Sequence, residues 1–106
     1  MADLARLSIN QATTREQYSL AQAITAYSEA DVAGISIWRD KLAECGLPEA
    51  VRMLGDSNLR VSGLCRGGSF PAIDAAGRQT SLDDNRAAID EAAALGADCL
   101  VLVAGG

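Results

Sequence analysis

Four short runs of strand-forming residues constrain this chain more than anything else in it: Leu4 to Ile9, Gly34 to Trp38, Arg60 to Cys65 and Cys99 to Val103, starting 30, 26 and 39 residues apart. That spacing is the repeat of a βα unit; hairpins return sooner, and helical solenoids carry no such runs. The gaps carry helix signals. In the first, Thr13 with Glu16, or Ser19 directly, offers a cap for a helix whose apolar positions Leu20, Ala23, Ile24 and Tyr27 share one face. In the second, Pro48 suits a first helical turn and Glu49 its positive end, while Leu47, Val51 and Leu54 fall on one side before Asp56-Ser57-Asn58 breaks the pattern. In the third, Ser81 is a candidate cap with Asp83 and Asp84 in the first turn, then Ile89, Ala92, Ala93 and Leu95 as the packed face and Gly96 as terminator. Strands alternating with helices imply a parallel sheet whose helix-bearing face needs apolar cover, so the expected class is α/β with four strands and three helices. After the fourth strand comes Ala104-Gly105-Gly106 without the helix that should follow, an ending that reads as an interruption.

Composition narrows the function. A chain of 106 residues is sized for one domain, residues 1–106, and 49% hydrophobic content is a poor match to disorder. Nine basic against fourteen acidic side chains leave a formal charge of −5, which argues against a nucleic-acid binder, since such a protein needs a positive field. No apolar run approaches the roughly 18 residues of a membrane span, and Asp3 and Arg6 spoil any reading of the start as a signal peptide. A cytoplasmic protein with no membrane partner is expected. Cys45, Cys65 and Cys99 are odd in number and lack paired spacing, and Cys65 and Cys99 sit inside apolar segments, so buried free thiols are favoured over disulfides or a metal cluster. The absence of histidine weakens zinc, haem and imidazole acid/base readings, though carboxylate-bound Mg²⁺ or Mn²⁺ stays open.

Strand alternation adds a second level. With Leu7 and Ile9, Ile35 and Ile37, and Val61 and Cys65 turned to the helices, Ser8 with Asn10, Ser36 with Trp38, and Ser62 with Leu64 and Arg66 turn to the other face. Small hydroxyls along each strand with larger polar or aromatic groups at its carboxyl end suit the ligand face of an α/β protein; a solvated sheet face carries the same pattern.

The segments Ile35-Ser36-Ile37-Trp38-Arg39, Cys65-Arg66-Gly67-Gly68, and the run from Asn85 through Ala94-Leu95-Gly96-Ala97, in this order and at βα spacing, carry a resemblance. The chain resembles, over essentially its whole length, the N-terminal part of sugar-phosphate isomerases/epimerases of the xylose-isomerase-like TIM-barrel superfamily. The resemblance implies half of a (β/α)8 barrel, strands one to four, with the remainder absent. It also implies a metal-dependent enzyme in full-length form, with a divalent ion such as Mn²⁺ or Mg²⁺ held by Glu, Asp, His and Glu ligands from the second half. No catalytic residue, metal ligand or cofactor is therefore assigned to this fragment. The matching positions are pocket wall: Asn10 after strand one, Trp38 and Arg39 after strand two, and Arg66, Gly67 and Gly68 after strand three, with substrate contact as the implied role.

The chemistry of these residues stands beside the resemblance. Arg66 offers a five-donor fork, and the two glycines after it let backbone N–H groups approach a sugar hydroxyl, carboxylate or phosphate; a surface arginine before a turn is the alternative. The motif lacks the lysine and further glycines of a nucleotide loop. Trp38 suits stacking on the apolar face of a sugar, and equally suits a core. Arg39-Asp40-Lys41 also reads as a solvated loop with local ion pairs. The stretch from Gly67 to Thr80 is long for a βα connection and suits a loop over the barrel mouth, with Phe70 as the residue covering ligand, or a plain surface loop. Asp83 and Asp84 are explained by helix capping, and Cys65 has no histidine to make it a nucleophile. Two functions compete: the first part of a sugar or sugar-phosphate isomerase/epimerase, inactive alone, or a non-catalytic half-barrel that self-associates as a homo-oligomer or pairs with a separate C-terminal half.

Overall fold

The computed structural model describes residues 6–68 and 74–103. Four parallel strands, β1 (Ser8–Asn10), β2 (Gly34–Trp38), β3 (Arg60–Gly68) and β4 (Leu100–Val103), lie in the order β1-β2-β3-β4. Between them run a 3-10 turn (Gln11–Thr14) and helix α1 (Leu20–Glu29), then α2 (Arg39–Cys45) and α3 (Leu47–Gly55), then α4 (Ala75–Leu95). Each strand pairs only with its sequence neighbours, so β1 and β4 are open edges among the described residues. This is an α/β sheet flanked by helices, the arrangement of half a (β/α)8 barrel.

Of the two candidate caps for α1, the structure uses Ser19. Its Oγ accepts from the Gln22 backbone N–H (3.2 Å), and the Gln22 side chain accepts from the Ser19 N–H (2.9 Å). Leu20, Ala23, Ile24 and Tyr27 are all buried, as the spacing predicts. They meet Ile35, Ile37, Ala50, Leu54, Val61 and Leu64 in a single core under the sheet. Leu20, Ile35, Ile37 and Leu64 are at most 1% exposed, and each such side chain contributes roughly 1.5–3 kcal/mol by leaving water.

Three expectations need correction. First, the Arg39-Asp40-Lys41 run is no loop: it opens α2, which follows β2 without a gap and hands over to α3 through Gly46 (φ 87°). Second, the third predicted helix begins six residues before Ser81. Asp74 is its cap, accepting from Gly77 N–H at 2.7 Å, and β3 continues to Gly68, so strand and helix take up both ends of the expected long loop. Phe70 falls outside the described residues. The helix is also rotated from the predicted face, burying Asn85, Ala88 and Leu95 with Ala92 partly covered, while Ile89 is 58% exposed. Val51 of α3, expected on the packed side, is likewise exposed, and of the thiols expected to be buried Cys65 is so while Cys99, which precedes the edge strand β4, is exposed. Third, alternation in β3 fails at Ser62. Ile35 pairs with Val61 but Ser36 pairs with Gly63, so Ser62 is a bulged extra residue and everything beyond it changes face. Leu64 therefore enters the core and Cys65 lies beside Trp38, the reverse of the expected assignment.

Candidate functional site

The carboxyl ends of β1, β2 and β3 bring Asn10, Trp38 and Arg66 to one rim. Asn10 ends β1 and caps the 3-10 turn, its Oδ1 accepting from Ala12 N–H at 3.0 Å. The same oxygen accepts from the Trp38 indole Nε1–H at 2.7 Å, which fixes the ring plane. Gln11, fully buried, adds a second stitch: its Oε1 accepts from the Trp38 backbone N–H at 3.1 Å. The Gln11 Nε2 is buried with no hydrogen-bond partner among the described residues. Arg15 lies over the Trp38 ring, 5.6 Å from its centroid, and pairs with Asp40 of α2.

Arg39 is held differently. Its five N–H donors meet five oxygens: Nε and Nη2 bind Glu91 at 3.0 and 3.1 Å, Nη1 and Nη2 bind Asp84 at 3.0 and 3.1 Å, and Nη1 reaches the Arg66 carbonyl at 3.4 Å. The Glu91 hydrogen bonds, then those of Asp84, raise the guanidinium pKa further above its already high value. The Arg39 hydrogen bond in turn holds the Asp84 carboxyl below the ordinary aspartate value. Asp84 therefore sits mid-helix, tying α4 to α2, and has no role in helix capping.

Arg66 is exposed, and its guanidinium has no ion-pair or hydrogen-bond partner among the described residues. A second register shift in β3, between Cys65 and Gly67, makes it the extra residue of that strand end. With Arg15, Trp38, Arg39, Asp40 and Cys65 it lines an open cleft of about 270 Å³. Clefts of similar or larger size, up to about 390 Å³, lie between helices or at the amino ends of strands, away from where parallel sheets gather ligand groups.

Gly67 and Gly68 serve the strand end more than the cleft. Asn85 of α4 accepts from the Gly68 N–H (2.6 Å) and donates to the Gly68 carbonyl (2.9 Å) and to the Ser81 carbonyl (2.8 Å). The expected backbone donor of Gly68 is thus already used. A Cβ on Gly67 would stand 2.8 Å from the Asn85 Oδ1, and one on Gly68 (φ 105°) only 2.1 Å from the Val103 carbonyl oxygen. Gln11, Arg15 and Asn85 escaped the sequence reading. The only hint was Asn85 opening an otherwise apolar helix face, since the other two act through contacts distant in sequence.

The divalent ion that the resemblance implies finds no fit here. Among the described residues no three His, Cys, Asp or Glu side chains come together as a donor set.

The fold and rim define an α/β half-barrel with its polar groups at the strand carboxyl ends. No protein-family model matches the chain, nor does any curated protein. Among solved structures it is similar to protein SMc04130 from Sinorhizobium meliloti 1021, with 54% identity and a TM-score of 0.93 over 98% of this chain and 38% of that one. It is also similar to a xylose isomerase domain containing protein from Salmonella typhimurium LT2, with 12% identity and a TM-score of 0.75 over 94% of this chain and 37% of that one. The second likeness is one of fold. The chain thus spans under two fifths of either structure.

Proposed function

We propose that this chain is the pocket-wall half of a sugar or sugar-phosphate isomerase/epimerase of the xylose-isomerase-like type, working in the cytoplasm. The observation that carries this reading is the Trp38 ring, locked by Asn10 beside the unpaired Arg66 at the carboxyl ends of adjacent strands. An aromatic plane suits the C–H face of a sugar, and a free guanidinium suits its hydroxyls, carboxylate or phosphate. Arg39, its donors all engaged, acts by positioning: it holds the Arg66 carbonyl and hence the direction in which that residue leaves the strand. Phe70 completes the wall in this reading, while Gly67 and Gly68 let the end of β3 pack closely against Asn85 and Val103. The fold likeness to a xylose isomerase domain containing protein supports it. Proton transfer between sugar carbons needs a base and a polarising group, and both, with any Mn²⁺ or Mg²⁺, are supplied by the second half of the barrel. Alone the chain catalyses nothing.

Trp38 is the sole tryptophan, so its emission reports on the site directly. Titration with aldoses, ketoses and their phosphates at millimolar concentration is expected to change that emission saturably, and Arg66→Ala to abolish the change. A wild-type signal that none of these ligands alters overturns the reading.

The non-catalytic alternative, a half-barrel that works by association, is favoured by β4, where Val101, Leu102 and Val103 are 42%, 55% and 36% exposed. Parallel strands are ordinarily covered on both faces, and this one is bare at an edge as well.

A further inference from the structure

Charge in the cleft is answered at every guanidinium but one. Arg15 pairs with Asp40 of α2. Arg39 pairs with both Asp84 and Glu91 of α4, so that trio, one cation with two anions, carries a negative charge in surplus. Arg66 pairs with no carboxylate among the described residues. Its guanidinium is exposed, permanently charged and shaped as a planar fork, while its carbonyl is held from behind by Arg39.

Donors dominate the same cleft. Of its six lining side chains three are guanidinium groups, and only Asp40 brings an oxygen. Besides the Arg66 fork, the Nε and Nη1 of Arg15 have no partner among the described residues, since Asp40 takes only Nη2. At the edge of the Trp38 ring the Asn10 carboxamide spends its oxygen on the indole and on the Ala12 N–H, so its Nδ2 is the end left for a ligand. The neighbouring main-chain acceptors are in use: the Arg66 carbonyl receives Arg39, and the Gly68 carbonyl receives Asn85.

A neutral polyol matches such a surface poorly, because each hydroxyl that accepts a hydrogen bond also needs an acceptor for its own proton. A carboxylate only accepts, and its two oxygens are spaced for a guanidinium fork. A phosphate monoester also accepts, but it brings about −1.5 to −2 charge at neutral pH. Its second charge would go unanswered beside one unpaired cation and a trio already in negative surplus.

We infer that the rim takes the carboxylate of a sugar acid: the Arg66 fork binds the two oxygens, and the neutral remainder of the molecule lies along Trp38. The inference rests on the sugar-pocket reading above and narrows its substrate class to sugars that bear one carboxylate.

Glucose, glucuronate and glucose 6-phosphate differ only at the sixth carbon, as do the matching galactose compounds, and acetate supplies a carboxylate alone. Each is titrated into the 106-residue chain at constant ionic strength while the Trp38 emission is followed. A uronate is expected to half-saturate at about a tenth of the concentration its neutral parent needs, and below its phosphate counterpart, as one charge-assisted bidentate pair would give. Arg66→Lys keeps the charge and loses the fork, so it should erase most of that preference. The variant's unfolding midpoint should stay within about 1 °C of wild type, because the exposed guanidinium holds no other part of the described chain. A neutral sugar or a sugar phosphate that binds as tightly as the uronate overturns the inference and leaves the sugar reading standing. So does a preference for uronate that survives Arg66→Lys intact. A saturable response to acetate with none to any sugar keeps the carboxylate site and removes the sugar from it, and silence toward every ligand overturns both readings.

Discussion

Strands β2 and β4 are both apolar, and by composition β4, Leu-Val-Leu-Val, is the greasier. Yet Ile35 and Ile37 of β2 are fully buried while Val101 and Leu102 of β4 are about half exposed. The difference lies in the neighbours. β2 has a strand on each side, with α1 and α2 packed against it; β4 has a strand, β3, on one side only and α4 as its main helix neighbour. Apolar content selects the strand conformation, but what arrives beside the strand decides whether that content stabilises the fold.

The sharpest way to break this contrast is to truncate both strands. Ile37→Ala should cost about 2–5 kcal/mol in denaturant unfolding, through lost burial and a residual cavity, and a cost below about 1 kcal/mol would mean that β2 is not the centre of the core. Next comes the clasp on β3. Asn85→Ala strips partners from both the N–H and the carbonyl of buried Gly68, and is expected to cost about 1–3 kcal/mol, with faster amide exchange at Gly68. A smaller effect belongs to the tether between α2 and α4. Asp84 has a depressed pKa in the folded chain, so its stabilising contribution is present above the ordinary aspartate value near 3.9 and is lost as pH falls through the folded value. Its side chain is 58% exposed, which limits that contribution to under about 1 kcal/mol. Asp84→Asn should therefore lower the thermal midpoint at pH 6, with the gap to wild type closing toward pH 3; a gap independent of pH would refute the ion pair. The smallest effect is expected at β4, where Leu102→Thr should change stability by no more than about 0.5 kcal/mol. A cost near that of Ile37→Ala would show that β4 is covered after all.

Much of this architecture was legible because it is local. The βα repeat, the α1 face and the C-cap at Gly96 each depend on residues within one or two helical turns and stand as read, although β1 begins only at Ser8 and leaves Leu7, expected against the helices, 43% exposed. What failed depends on distant partners. Arg39-Asp40-Lys41 reads as a charge run until Asp84 and Glu91 arrive from α4 and Arg15 from the first connection. The phase of α4 was assigned to Ile89 because it is apolar, whereas the helix turns on buried Asn85, whose worth is set by the Gly68 peptide. Nothing local distinguishes Ser62 as a bulge, and one extra residue exchanged the faces of Leu64 and Cys65. At the site, Asn10, Trp38 and Arg66 were found from their places at strand ends, and the structure sets them on one rim. Gln11, which holds the Trp38 backbone, was invisible because its importance is burial itself.

The contact between Ser8 and Ser62 has a kinetic side. The two residues are 54 positions apart and their hydroxyls meet at 2.6 Å over the middle strand, so their contact closes a long loop and is expected to form late in folding, at the loop-closure expense of a long-range pairing.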